Sequence, residues 1–170
     1  MELRVTAPWV SVGFFSSWGR LTSRIGLALQ NGLEPPQQSG EDNAAMSVHG
    51  MHNLESRYSV RETIDRLEEL LRPTGIKVFA RLDQAAEAQA FGIFMRPMEL
   101  LIFGDPKTGS PLMIKYPSLA VDLPLKALAW ESEEKKVYLS FNSAAYLIER
   151  HHLAGEPFKP IEGLLAQAAS

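Results

Sequence analysis

After residue 56, the hydrophobic period of this chain switches repeatedly between that of a helix and that of a strand. Ser59 and Glu62 form a capping box, which is typical of a helix N-terminus. Behind it, apolar residues recur at helical spacing, at Val60, Ile64, Leu67 and Leu71. Residues 76–82 then alternate between two faces, with Phe79 on the side of the charged residues, which predicts a half-buried strand. Such switching excludes a purely helical or a purely β domain.

The later segments continue this pattern. Asp83 predicts an N-cap for a helix through residue 90, and residues 98–103 predict a buried strand. Residues 104–109 predict a turn, and Ser110-Pro111 an N-cap and first helical position for a short helix to Tyr116. Strands at 124–131 and 137–141 are joined by a charged turn and followed by a helix over 144–153. We therefore predict an α+β domain with helices on a mixed or antiparallel sheet.

The two ends of the chain carry weaker patterns. Residues 154–170 contain Pro157 and Pro160 and predict at most one apolar turn. Residues 5–29 are too interrupted by charge for a membrane span or a secretory signal, and residues 31–43 have the composition of a disordered linker. We expect residues 1–45 to be a disordered or upstream-start extension and residues 46–170 to be one domain. The alternative is an amphipathic extension that docks through its aromatic residues, Trp9, Phe14, Phe15 and Trp18.

Charge and cysteine content exclude several classes of protein. The chain has 17 basic and 20 acidic residues, so it lacks the excess of positive charge that binds nucleic acids or anionic membranes. The sequence therefore predicts no nucleic-acid partner and no membrane partner. The chain has no cysteine, which excludes disulfides, thiolate catalysis and cysteine-based metal sites. This composition is typical of a reducing compartment, and we expect a cytoplasmic protein.

The segment from Gly104 to Gly109 has the spacing of a phosphate-binding loop. Such a loop continues with Lys-Ser or Lys-Thr, whereas this chain continues with Ser110 and Pro111, so an NTPase is excluded. A weaker hypothesis remains, in which amides at a helix N-terminus beside Lys107 hold a carboxylate or phosphate. The alternative is a turn whose glycines and prolines serve geometry alone.

Asp122 and Lys126 form the best polar pair in the sequence. If residue 122 lies in a strand, it shares a face with residue 126, and a partly desolvated lysine would favour base or imine chemistry. The alternative is a surface ion pair at a strand end. Asn142 and Arg150 would add hydrogen bonds, with Tyr146 one helical turn before Arg150.

Other catalytic and metal signatures are missing. The sequence contains no Gly-x-Ser-x-Gly and no His-Glu-x-x-His motif. His151 and His152 are adjacent, so on a helix they diverge and do not face one metal together. They are placed where a helix C-terminus favours positive charge. We predict no metal and no cofactor, and the catalytic residues remain unknown.

The run from Leu101 to Met113, with Asp122–Glu131 and Tyr138–Asn142, resembles the bacterial and archaeal family called domain of unknown function 302. The resemblance covers about residues 52–153. It implies an α+β fold similar to the TATA-binding-protein-like arrangement, with a curved, mainly antiparallel sheet and helices on one face. It also implies small cytoplasmic proteins that associate as homodimers, and it brings no activity, substrate or cofactor.

Three functional hypotheses follow. The leading one is a non-catalytic module that binds a small molecule or an anion, through residues drawn from the motifs above: Gly104, Lys107, Gly109, Ser110, Asp122, Lys126, Asn142 and Arg150. The second is an enzyme that uses Lys126 and Asp122 for acid–base or imine chemistry. The third is a protein–protein interaction module, in which the sheet or the Trp-rich N-terminus meets a partner.

Overall fold

The structure is a computed structural model that describes residues 48–170. In this part of the chain strands and helices alternate as far as the fourth strand, which is followed by a fifth strand and then by two helices. The strands are β1 (Met51–Ser56), β2 (Lys77–Asp83), β3 (Met98–Gly104), β4 (Leu125–Glu131) and β5 (Val137–Asn142). The helices are α1 (Val60–Leu71), α2 (Gln84–Gln89), α3 (Pro106–Lys115), α4 (Ala144–His151) and α5 (Lys159–Ala169). Short 3-10 helices occupy Arg72–Thr74 and Pro117–Val121. The expected extension over residues 1–45 lies outside the described residues.

The five strands form one open sheet in the order β1-β5-β4-β3-β2. Every neighbouring pair is antiparallel, and β1 and β2 are the two edges. The prediction of an α+β fold on a mainly antiparallel sheet is therefore confirmed.

Helices α1 and α5 cover one face of the sheet. In β3 alternate residues are buried, and Leu101 and Phe103 point to this face with 0% and 1% of their surface exposed. They pack with the apolar side of α1 and with Leu165 of α5 in one continuous core. Because a strand places alternate residues on one face, three central strands contribute small or apolar residues to the same layer.

The predicted capping box begins α1. Ser59 Oγ accepts a hydrogen bond from the backbone N–H of Glu62 at 3.3 Å, and the backbone N–H of Ser59 donates to Glu62 Oε2 at 3.1 Å. The carboxylate of Glu62 therefore lies at the positive end of the helix dipole. Its hydrogen bonds with Ser59 hold the pKa of Glu62 below the ordinary value.

The turn predicted over residues 104–109 is wrong, because α3 begins at Pro106 and runs through it. Asp105 is the N-cap, and Pro106 takes the first turn, where a missing N–H costs no intrahelical bond. Pro111, expected to open the helix, lies inside it. The pairs Asp105-Pro106 and Ser110-Pro111 both carry the signal of a helix N-terminus, and the helix begins at the earlier pair.

The single apolar turn expected after residue 154 is also wrong. Instead α5 spans Lys159–Ala169. Pro160 stands in its first turn, so it does not interrupt the helix. The apolar side of α5 buries Leu165, Ala168 and Ala169 against the core. This packing stabilises a helix whose prolines made it look irregular.

Candidate functional site

An apolar cavity of about 510 Å³ opens where β3 ends and α3 begins. Its apolar wall includes Ile76, Phe79, Phe103, Met113, Leu125 and Phe158. Three polar side chains border it, at Asp105, Thr108 and Ser110. A cavity of this size, mostly apolar with a few polar groups at one side, has the character of a small-molecule site.

Two glycines leave room in the wall of this cavity. A Cβ on Gly109 would come within 3.6 Å of Leu123 Cδ1. A Cβ on Gly104 would come within 3.7 Å of both Phe79 Cε2 and Pro124 Cβ. Since Leu123, Phe79 and Pro124 all line the cavity, larger side chains at either glycine would narrow it.

The N-terminus of α3 is occupied by a carboxylate of the chain itself. Asp105 Oδ1 accepts from the backbone N–H of Lys107 at 2.9 Å, and Oδ2 accepts from the hydroxyl of Thr108 at 2.6 Å. The Thr108 hydroxyl is the main reason that the pKa of Asp105 lies below its ordinary value, and the Lys107 amide adds to it. An external anion would have to compete with this capping carboxylate.

Asp122 belongs to a different cluster, between the 3-10 helix Pro117–Val121 and α4. Its Oδ2 lies 2.7 Å from His151 Nε2 and 3.2 Å from Arg150 Nε. The other nitrogen of the same imidazole, Nδ1 of His151, lies 3.0 Å from Ser118 Oγ. Arg150 also donates to the hydroxyl of Tyr146, and this bond is the main reason that its pKa is raised, with the charge of Asp122 contributing next.

The ammonium of Lys126 bonds backbone oxygens. Nζ donates to the carbonyl oxygens of Asp122 and Pro124, each at 3.3 Å, and the side chain is exposed. Residue 122 precedes β4, which begins at Leu125, so the strand alternation used to pair the two side chains does not reach it. Lys126 and Asn142 both border a recess of about 20 Å³, roughly the space of one water.

The structure thus divides the eight predicted binding residues among separate places. Gly104, Gly109 and Ser110 border the apolar cavity. Asp122 and Arg150 contact each other in the histidine cluster, and Lys126 and Asn142 both border the small recess. Lys107 is exposed on α3 and does not line any of these three places.

Sequence reasoning missed the residues that give the cavity its character. Phe79 carries the one usable signal, since it is a large aromatic residue on the polar side of the β2 alternation, and it remains 44% exposed. The register of β2 against β3 shifts between Val78 and Ala80, next to this residue. Phe158 gives no such signal, because it comes from a segment expected to be irregular.

His151 was also assigned a different role. The sequence placed it as a favourable charge near a helix C-terminus, whereas its side chain is only 4% exposed and hydrogen-bonded at both nitrogens. Ser118 was not singled out at all. Their pairing joins positions 33 residues apart, which no local pattern indicates.

Comparison with protein families identifies the family of this chain. The sequence model of the family described as domain of unknown function DUF302 matches residues 52–168. The match contains the whole sheet except Met51 and extends through most of α5. The resemblance noted over residues 52–153 is therefore confirmed, and its C-terminal boundary was 15 residues too early.

Curated proteins from Brucella are similar to this chain over 110 residues. The "Fluoride-specific ion channel FluC 1" of Brucella suis biovar 1 (strain 1330) is 43% identical, and the match covers 65% of this chain and 43% of that protein. The "Fluoride-specific ion channel FluC 2" of Brucella melitensis biotype 1 is also 43% identical, with 65% and 41% covered. The chain spans about two-fifths of the length of these relatives. Over residues 48–170, none of the helices has the length and apolar character that a membrane crossing requires.

A solved structure shares the fold. It is the "Crystal structure of uncharacterized conserved protein DUF302 from Bacillus stearothermophilus", with a TM-score of 0.61 and 21% identity. The superposition covers 72% of this chain and 97% of that chain. The similarity extends to the arrangement of the sheet and helices.

Proposed function

This chain belongs to the DUF302 family, and we propose that it binds a small, mainly apolar molecule in the cavity between β3, α3 and the chain before α5, without catalysing a reaction on it. The observation that carries the proposal is the cavity itself, about 510 Å³ in volume and lined by Phe79, Met113 and Phe158. Burial of an apolar ligand against these side chains would supply the binding free energy.

The polar groups favour a ligand with a hydrogen-bonding end. Ser110 borders the cavity, and Thr108 already donates to the carboxylate of Asp105. A ligand hydroxyl or amide placed there would meet an acceptor-rich side of the wall. An anion is the weaker ligand class, because it would approach a carboxylate whose lowered pKa keeps it charged.

Other hypotheses have less support. An enzyme built on Lys126 lacks the expected contact with the carboxylate of Asp122, since the ammonium bonds backbone oxygens. The name of the Brucella relatives refers to fluoride conduction by proteins of which this chain spans about two-fifths. Fluoride is therefore one of the ligands to be tested for binding. Homodimer formation and a cytoplasmic location remain predictions.

A titration with the neutral apolar dye Nile red tests the proposal. We expect saturable fluorescence enhancement with one site per chain. Ser110→Trp would fill part of the cavity and weaken binding by roughly tenfold, about 1.4 kcal/mol. Ile114→Trp is the matched control, because Ile114 lies on the same helix, is 82% exposed and does not line the cavity.

The outcomes separate the ligand classes. Equal dye binding by wild type, Ser110→Trp and Ile114→Trp would contradict the proposal. Thermal unfolding with sodium fluoride or inorganic phosphate tests whether the ligand is an anion. A rise in Tm with either salt, together with no saturable binding of the dye, would favour the anion-binding module instead.

A further inference from the structure

We propose that Ser118 is a nucleophile activated by His151 and oriented by Asp122, and that it reacts with small activated carboxylic esters. The three side chains form one hydrogen-bonded row, with Ser118 Oγ 3.0 Å from His151 Nδ1 and His151 Nε2 2.7 Å from Asp122 Oδ2. These are the residue types that serve as nucleophile, base and orienting carboxylate in acyl transfer. The two imidazole nitrogens are exchanged relative to the Ser-His-Asp triad, since Nδ1 faces the serine and Nε2 faces the carboxylate. The row stands apart from the apolar cavity, whose lining contains none of the three residues.

Asp122 determines which nitrogen of His151 carries the hydrogen. Its Oδ2 lies 2.7 Å from His151 Nε2 and 3.2 Å from Nε of the positively charged Arg150. An ionised carboxylate only accepts hydrogen bonds, which places the hydrogen of the neutral imidazole on Nε2. The lone pair of Nδ1 then faces Ser118 Oγ. The row therefore presents the tautomer in which His151 accepts the proton of the serine hydroxyl.

The base and the orienting carboxylate of the row are largely buried, whereas the nucleophile is accessible to a reagent. The side chain of His151 is 4% exposed and that of Asp122 is 13% exposed, so base and orienting group are held away from water. Ser118 is exposed. Its position is fixed by the 3-10 helix Pro117–Val121, in which Leu119 is fully buried. A reagent can reach the hydroxyl without disturbing the other two side chains.

The reaction balances with the ester and water alone. Ser118 Oγ forms a bond to the acyl carbon while its proton moves to His151 Nδ1. The bond from the acyl carbon to the alcohol oxygen breaks, and the same proton passes from Nδ1 to that oxygen. Water then attacks the acyl-serine, His151 takes and returns a proton, and the carboxylic acid leaves.

Acetylation by p-nitrophenyl acetate tests the proposal, with peptide mapping by mass spectrometry on the full chain. We expect Ser118 to be acetylated at least about 100-fold faster than Ser59, an exposed serine whose hydroxyl bonds a carboxylate. In Asp122→Asn the amide donates to Nε2 and moves the hydrogen to Nδ1, so acetylation of Ser118 should fall to the rate at Ser59. Equal rates at Ser118 and Ser59 in the wild type, or an unchanged rate in Asp122→Asn, would overturn the proposal.

A second variant keeps the test independent of any loss of folding in Asp122→Asn. The chain has no cysteine, so Ser118→Cys introduces a single thiol. When the imidazole takes the thiol proton it becomes a cation, and this cation stabilises the thiolate. We expect iodoacetamide to alkylate it at least about tenfold faster than the thiol of Ala120→Cys, an exposed position on the same 3-10 helix that does not line the apolar cavity. Equal alkylation rates would contradict activation by His151, whatever the dye titration of the apolar cavity gives.

Discussion

Both Nε and Nη2 of Arg81 lie 2.6 Å from Glu99 Oε2, across the β2–β3 pair. The side chain of Glu99 is 9% exposed, on the sheet face that α1 covers. Arg81 also meets Asp65 and Glu68 of α1, so one guanidinium links the sheet to the helix through three carboxylates. Its hydrogen bonds to Asp65 and Glu99 raise its pKa although burial works in the opposite direction.

Replacement of this guanidinium should destabilise the fold. In Arg81→Met the charge of Glu99 would stay buried without its partner, so we expect the free energy of unfolding to fall by about 3 kcal/mol. The double variant Arg81→Met with Glu99→Gln should recover part of this loss. Urea unfolding measures both, with Arg57→Met as an exposed control that changes stability by less than about 0.5 kcal/mol. An equal loss in the single and double variants would contradict the buried-charge explanation.

The capping carboxylate of Asp105 should make stability fall in acid. Its folded pKa lies below the ordinary value of 3.8, so the unfolded chain binds the proton more readily. The contribution is therefore present above about pH 4 and is lost as the pH falls through the lower folded pKa. Asp105→Asn keeps a capping side chain and removes the titration. Urea unfolding from about pH 5 to pH 2 should show a shallower decline for Asp105→Asn, and parallel declines would contradict this assignment.

Local patterns predicted most of the fold. The capping box of α1 and the apolar run of β3 depend on residues within a few positions of one another, and both elements occur where they were expected. The two errors, at the start of α3 and at α5, concern segments in which proline weakened the local signal. Tertiary packing determines the structure of α5, because its apolar side is buried by contact with α1 and the sheet, which are distant in sequence.

The candidate sites could be predicted only in part. Gly104, Gly109 and Ser110 were named from a loop pattern and do border the cavity, but the pattern suggested an anion and the walls are apolar. The contact between Asp122 and His151 joins residues 29 positions apart, across two elements. Spacing along a chain reports neighbours on one helix or strand, so contacts of this kind need the folded arrangement.

The unexpected helix α5 should be essential for stability. Leu165 is 3% exposed and belongs to the core with α1, so Leu165→Ala should lower the free energy of unfolding by about 3 kcal/mol. Gln167→Ala changes an exposed side chain of the same helix and should alter it by less than about 0.5 kcal/mol. Urea unfolding of the two variants distinguishes a packed helix from the irregular tail that the sequence suggested, for which both changes would be small.

Two glycines with the same backbone conformation should differ sharply in their tolerance of alanine. Gly50 and Gly155 have φ values of 79° and 77°, which alanine adopts at a cost of about 1 kcal/mol. A Cβ on Gly155 meets nothing within 4 Å, whereas on Gly50 it would lie 2.2 Å from Tyr146 Cδ2. Gly155→Ala should therefore show the backbone cost alone, and Gly50→Ala should lose a further 1–3 kcal/mol or so, because the ring must move. Equal losses in urea unfolding would mean that the packing of the Tyr146 ring against Gly50 adds nothing to stability.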